Sequence, residues 1–442
     1  MEIKLTEGSI TKNLLLFTFP MLLGNLLQQL YNIADSIIVG RYLGRAALAA
    51  VGSSFTLMTF ITSILLGLAM GSGAYFSILF GRKDDKDLRN SIFQSFILSF
   101  LFSLVLNILV FLLLDSFITL LKVPEEVKPL MKDYLIIIFY GIFAIFITNY
   151  IASFLRSIGN SLAPLLALAF AAVLNIVLDL LFVITFNMGV KGAAAATVIA
   201  QYASALILVM YAVFKYRSYI PKRSNCYFNK SNLKPLVNLS LMTSIQQSVM
   251  NFGILLVQGV VNSFGTAVMA AFASGVKIDA FAYMPLQDFG NAYSTFVAQN
   301  YGKRDSARIE RGTKSAIIVI LLFSTLITLL IFAFAPNLIA LFVSKNDTAV
   351  IEIGSEYLKI EGAFYFAIGF LFMLYGFYRA VEKPWMSIVL TVISLGTRVV
   401  LSYSVSPIFG EKAIWASIPI GWILADAVGF ICLFAYRRKI RR

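Results

Sequence analysis

The chain has no histidine and only two cysteines, Cys226 and Cys432. Without histidine there is no His-ligated zinc, no imidazole base and no Ser-His-Asp triad. Two cysteines, one in a basic loop and one in the last apolar run, cannot build an iron–sulfur centre or a disulfide framework, and are read as inert thiols. A phosphate-cradling GxxxxGK[ST] loop is also missing. No ATPase module is fused to the chain, and any work must draw on an ion gradient or a partner. Charge is scarce: 13% of the 442 residues are Asp, Glu, Lys or Arg, about half the share of a soluble protein. So little charge cannot cover a soluble surface.

What is abundant is apolar sequence, 59% of residues, arranged in long runs rather than amphipathic stripes. Twelve runs lie near 14–39, 48–80, 91–114, 134–157, 163–185, 192–214, 236–263, 268–301, 315–343, 355–380, 385–406 and 412–436. The first is too long for a signal-peptide core and has no small-residue cleavage site, so it reads as an uncleaved helix. The expectation is an all-α integral membrane protein of twelve transmembrane helices. The net charge of +14 then marks loops rather than a nucleic-acid surface. With both ends inside, the tails and inner loops carry 25 Lys and Arg. The outer loops carry nine, namely Arg41, Arg45, Lys122, Lys128, Lys132, Lys191, Lys345, Lys359 and Lys412. That bias predicts a multi-pass cell-membrane protein with both termini cytoplasmic.

The basic stretch from Lys215 to Lys234 separates two similar halves, 1–220 with helices 1–6 and 221–442 with helices 7–12. Gly81-Arg-Lys-Asp84 ends helix 2 and Gly302-Lys-Arg-Asp305 ends helix 8, 221 residues later. Phe154-Leu-Arg156 after helix 4 matches Phe377-Tyr-Arg379 after helix 10, at an offset of 223. Near-constant offsets describe a parallel repeat, two pseudo-symmetric six-helix lobes of the kind transporters use.

Charges inside apolar runs are costly, and each marks a candidate site. Asp35 and Asp179 both lie in the outer part of their helices, and Asn175 shares a face with Asp179 at i, i+4. Thr197 on helix 6 lies at about the same depth, some 8 Å in. Two carboxylates, a carboxamide and a hydroxyl from three helices form an all-oxygen set for a small cation, and would equally hold a proton. Lys277, Asp279 and Asp288 are weaker candidates in helix 8, while Asp426 and Arg398 are expected to pair across the last two helices. Pro20 removes a backbone hydrogen bond from helix 1 and could serve as a hinge below Asp35.

The run from Gln28-Gln29-Leu-Tyr31-Asn32-Ile-Ala-Asp35 through Gly40-Arg41-Tyr-Leu-Gly44 resembles the MATE (multidrug and toxic compound extrusion) family. Pro20, Leu155-Arg156-Ser-Ile-Gly-Asn160, Asn175-Ile-Val-Leu-Asp179, Met284-Pro285, Gln299-Asn-Tyr-Gly302 and Arg379 extend the resemblance over the whole chain. It implies an antiporter that exports cationic amphiphiles in exchange for Na⁺ or H⁺, with no other cofactor and no enzymatic activity. It further implies a coupling site at Asp35, Asn175, Asp179 and Thr197, a cavity lined by Gln28, Tyr31, Tyr134 and Asn149, and bending at Pro20. Membrane lipids and small organic cations are the expected partners, nucleic acid is not, and one chain holds a complete pathway. Some relatives place an acid in helix 7 and another in helix 10. Here helix 7 offers only Gln246, Gln247, Asn251 and Gln258, and Glu361 stands near the outer end of helix 10, so coupling is expected in the N-lobe alone. The alternative within the same superfamily is a flippase for a lipid-linked saccharide, which would need a more basic cavity. A membrane-embedded lipid-phosphate enzyme would need clustered Arg, His or metal-binding carboxylates, and a scaffold would need no matched buried acids.

Overall fold

A computed structural model of the chain describes residues 2–120, 123–344 and 346–441; Lys122, Lys345 and Arg442 of the charge comparison lie outside them. All regular structure among the described residues is helical. In order it comprises α1 (Ile10–Tyr42), α2 (Arg45–Arg82), α3 (Asp85–Leu112), the short α4 (Leu114–Leu120), α5 (Lys128–Tyr140), α6 (Ile142–Ser157), α7 (Leu162–Asp179), a π-helical turn (Leu180–Thr185) and α8 (Gly189–Lys215). The second half comprises α9 (Lys230–Asn262), α10 (Thr266–Gly302), α11 (Ser306–Ile339), α12 (Thr348–Gly362), α13 (Tyr365–Ala380), α14 (Pro384–Phe409) and α15 (Glu411–Arg441). Among the described residues ten helices are long and apolar enough to span a membrane. The pairs α5–α6 and α12–α13 are each broken and bent, by 44° and 50°, and counting each pair as one span gives twelve.

The repeat is written into the backbone. Left-handed residues recur at the offsets of the sequence repeat: Gly44 (φ 85°) with Gly265 (φ 93°), Lys83 (59°) with Arg304 (61°), Gly159 (90°) with Glu382 (59°), and Gly189 (61°) with Gly410 (72°). Each ends one helix or turns the chain into the next. Asp84 caps α3 by accepting from Asp87 N (3.1 Å), and Asp305 caps α11 by accepting from Arg308 N (2.9 Å). The breaks at Gly141 and at Ala363–Phe364 also correspond.

The chain forms two compact units, Met1–Lys4 with Leu16–Ser244, and Leu5–Leu15 with Ile245–Arg442. The division passes through α9, because the first half of that helix packs on α2. Ser72 Oγ and Ser240 Oγ are 3.0 Å apart, Ser244 Oγ donates to Ile64 O (2.9 Å) and Tyr75 OH donates to Asn232 Oδ1 (3.2 Å). Gly71 permits the approach: a Cβ there would stand 2.5 Å from Ser240 Cα and 2.6 Å from the Leu239 carbonyl carbon. In the second unit Arg308 fixes residues 5–8. Its guanidinium donates to Leu5 O (3.1 Å), Gly8 O (3.0 Å) and Glu7 O (2.7 Å). Arg379 keys α13 to α10 through Ser294 Oγ (3.2 Å) and Asn291 Oδ1 (3.0 Å).

These contacts predict opposite outcomes for two helical glycines. Gly71→Ala forces backbone against backbone and should cost about 1–3 kcal/mol. Gly396→Ala meets nothing within 4 Å and should gain about 0.5–1 kcal/mol of helix stability. Thermal unfolding in detergent separates them; equal shifts would contradict the α2–α9 packing.

Candidate functional site

The first unit assembles the expected oxygen set. Asp35 sits two turns before the end of α1, about 10 Å in, and Thr197 lies eight residues into α8, about 12 Å in. Asp179 closes α7 where the helix widens into the π-helical turn. Such turns are rare and recur at functional positions. Here one carries the chain past Asp179 without ending the span. The Asp35 and Asp179 carboxyl groups face each other, and both are buried. Asn175 Nδ2 donates to Thr197 Oγ1 (3.3 Å), joining α7 to α8.

No hydrogen bond satisfies Asp35 Oδ1, either oxygen of Asp179, or Asn175 Oδ1. Buried polar atoms are normally paired, and a buried charge without a partner is costly. Four such oxygens from two helices, with the Thr197 hydroxyl of α8 beside them, call for something to be bound between them, a proton or a cation. Among the described residues no three or more His, Cys, Asp or Glu converge on a metal-sized space. A metal ion here would therefore take two carboxylates and lean on the amide and hydroxyl oxygens, a hard-oxygen set suited to an alkali cation.

Aromatic hydroxyls complete the setting. Tyr31, one turn before Asp35 on α1, and Tyr134 on α5 both lie within electrostatic reach of Asp35, and Tyr134 also of Asp179. Gln28, exposed one turn further along α1, contacts the Tyr31 hydroxyl. Asn149 is half-buried on α6 and its amide donates to Ile145 O of its own helix (3.0 Å), not to the carboxylates. Toward the Gly44 end the pair is covered by an apolar cluster of Ile38, Val39, Val51, Ile138, Val183 and Ala194, and Lys191 and Asp133 (3.3 Å) tie α8 to α5. α1 runs unbroken through Pro20. Gln201, one turn after Thr197, escaped the sequence reading; its Oε1 is buried without a partner. Only its spacing from Thr197 could have marked it.

The weaker candidates belong to the second unit. Lys277 is exposed, with its ammonium 5.7 Å from the Phe342 ring centroid. Asp288 is buried on α10. Asp279 is buried beside Glu361 and Tyr365. One expectation needs correcting. Arg398 does not pair with Asp426; the acids it faces are Asp279 and Glu361, and Asp426 Oδ1 lacks a partner. Glu361 lies one residue before the end of α12, at the break that separates it from α13, and is 1% exposed.

The family model described as MatE matches residues 20–181 and 241–404. The "Probable multidrug resistance protein YpnP" of Bacillus subtilis (strain 168) is 32% identical over 433 residues, covering 96% of this chain and 95% of its own. Among solved structures, one titled as the outward-facing conformation of a multidrug resistance MATE family transporter superposes with a TM-score of 0.92 at 25% identity, over 100% of this chain and 99% of that one. A transporter of the MOP superfamily from Pyrococcus furiosus matches with the same TM-score, identity and coverage; its title speaks of a reversed polarity of the binding pocket. The chain belongs to the MatE family: it is a membrane transporter and not an enzyme.

Proposed function

We propose that the protein is an antiporter that exports cationic amphiphiles in exchange for Na⁺ or H⁺. The observation that carries this reading is the Asp35–Asp179 pair, buried with Asn175 beside the half-buried Thr197 and left with unsatisfied oxygens. The names of the relatives, which speak of multidrug resistance and multidrug export, agree with it. The positive-inside bias supports placement in the cell membrane with both termini cytoplasmic. One chain is the proposed working unit.

The exchange follows from charge. In a low-dielectric pocket the carboxylates need compensation, and either a coupling ion or an organic cation can supply it. Tyr31 and Tyr134 offer aromatic faces and hydroxyls beside the same charge, which suits a flat lipophilic cation. Binding the coupling ion removes the charge that holds the substrate. The two therefore compete for one site, and each turnover exchanges one for the other. Pro20 leaves α1, the span that carries Asp35 and Tyr31, short of one backbone hydrogen bond and is the proposed place for it to bend between the two loaded states.

Three outcomes are expected in proteoliposomes preloaded with a fluorescent lipophilic cation. Wild type exports against a Na⁺ gradient or a pH gradient, and Asp35→Asn does not. Uphill export by the variant would end the scheme, and no gradient-driven export by folded wild type would favour the lipid-linked saccharide reading. Thr197→Ala removes one oxygen and should weaken the apparent affinity for the coupling ion roughly tenfold, about 1.4 kcal/mol, with maximal export retained. Pro20→Ala restores the missing backbone donor and should slow export while leaving equilibrium ion binding unchanged. A parallel loss of both would make Pro20 a structural residue only.

A further inference from the structure

The second unit contains another buried acid pair. Asp279 on α10 faces Glu361 near the end of α12 and Tyr365 at the start of α13. Tyr357 lies against Glu361, one turn earlier. Tyr365 and Glu361 are 0% and 1% exposed and Asp279 is 8% exposed. Asp279 Oδ1, Glu361 Oε1, Tyr365 OH and Arg398 Nε all lack hydrogen-bond partners. The neighbouring wall is aromatic: Phe272 stacks on Trp415 with centroids 5.4 Å apart, Tyr357 meets Trp415 edge-on at 5.0 Å, and the Trp415 Nε1 is unsatisfied as well.

The pair is not an echo of the first unit's site. The repeat offsets carry Asp279 onto Met58 and Glu361 onto Ile138, which pack in the apolar cluster of the first unit. Tyr357 falls on Tyr134, so the aromatic frame is shared and only the acids differ. Nor does α9 contribute an acid. One unit fills these positions with apolar bulk and the other spends two carboxylates on them, a substitution that packing alone would oppose.

We propose that Asp279 and Glu361 form a second proton-binding site, in which the two carboxyls hold one proton between them and Arg398 balances the remaining charge. Two carboxylates and one guanidinium leave a single negative charge, which one proton neutralises. On loading, an O–H bond forms on one carboxyl at the expense of a hydronium ion from water, and that O–H donates to the other carboxylate. A metal cation would sit beside a guanidinium and be repelled by it, which favours the proton. The other groups facing the pair are the hydroxyls of Tyr283, Tyr357 and Tyr365 and the guanidinium of Arg398. Lys277 turns onto Phe342, Lys412 is paired with Glu356 at 2.7 Å, Asp426 lies by Tyr375, and the charges of α11, Arg308 to Lys314, lie at its far end.

Difference infrared spectroscopy of the full chain in lipid nanodiscs, titrated with acid and separately with NaCl, tests this through the carboxyl C=O stretch. In the difference between the double variant Asp35→Asn/Asp179→Asn and the same protein carrying Glu361→Gln, where the bands of the surface acids, Asp288 and Asp426 cancel, one acid-sensitive carboxyl band should remain that does not respond to Na⁺. Asp279→Asn in place of Glu361→Gln should give the same band. Arg398→Gln, which keeps both acids, should raise the protons held at neutral pH from one toward two, and covers the case in which an acid variant fails to fold. A difference with no band, a band displaced by Na⁺, or proton uptake unchanged in Arg398→Gln would each overturn the proposal. The readout is an equilibrium one: export lost with the band intact would count against the antiporter reading and leave this site standing.

Discussion

Charge in a low-dielectric interior is the constraint to which the rest of the molecule answers. A carboxylate inside the membrane region forfeits its hydration, and two of them side by side also repel. Most buried polar groups here find partners: Asn90 reaches Asn225 O and Tyr227 O at 2.9 and 2.8 Å, Arg379 has Asn291 and Ser294, and Arg308 has three carbonyls. Against that background the orphaned oxygens of Asp35, Asp179 and Asn175 stand out. Where several such oxygens converge, here and around Asp279 and Glu361, an exchangeable partner can take the place of the missing bonds.

The architecture provides what such a pair requires. The oxygens come from helices distant in sequence, so no local segment can collapse around them. α1 supplies Asp35, α7 supplies Asn175 and Asp179, and α8 supplies Thr197. The π-helical turn lets Asp179 occupy a helix that continues beyond it. The apolar cluster on the Gly44 side keeps water away from one flank, which strengthens every charge interaction in the pocket. Pro20 removes one backbone hydrogen bond from α1 about four turns before Asp35.

Much of this was legible in the sequence, for definable reasons. Long apolar runs report spans directly, and the two similar loop motifs report the repeat. Depth along a helix is arithmetic, so Asp35, Asn175, Asp179 and Thr197 could be grouped from residue counts alone. What escaped depends on bends. The break in helix 10 leaves Glu361 beside Asp279, which a count along a straight helix does not show. The same effect misassigned Arg398: its distance from Asp426 can be guessed along two straight helices, whereas its proximity to Asp279 and Glu361 depends on how α12 folds over α10. Asn149, carried over by resemblance alone, donates to a carbonyl of its own helix.

The central claim is that one buried charge serves both the coupling ion and the exported cation. Equilibrium binding of a fluorescent lipophilic cation to the purified protein, repeated at rising Na⁺ and at falling pH, addresses it without any gradient or turnover. If the two ligands share the Asp35–Asp179 pair, the apparent Kd for the organic cation rises in proportion to the coupling ion once that ion saturates. An organic-cation affinity that is independent of both Na⁺ and pH, in protein that still binds it tightly, would contradict the account.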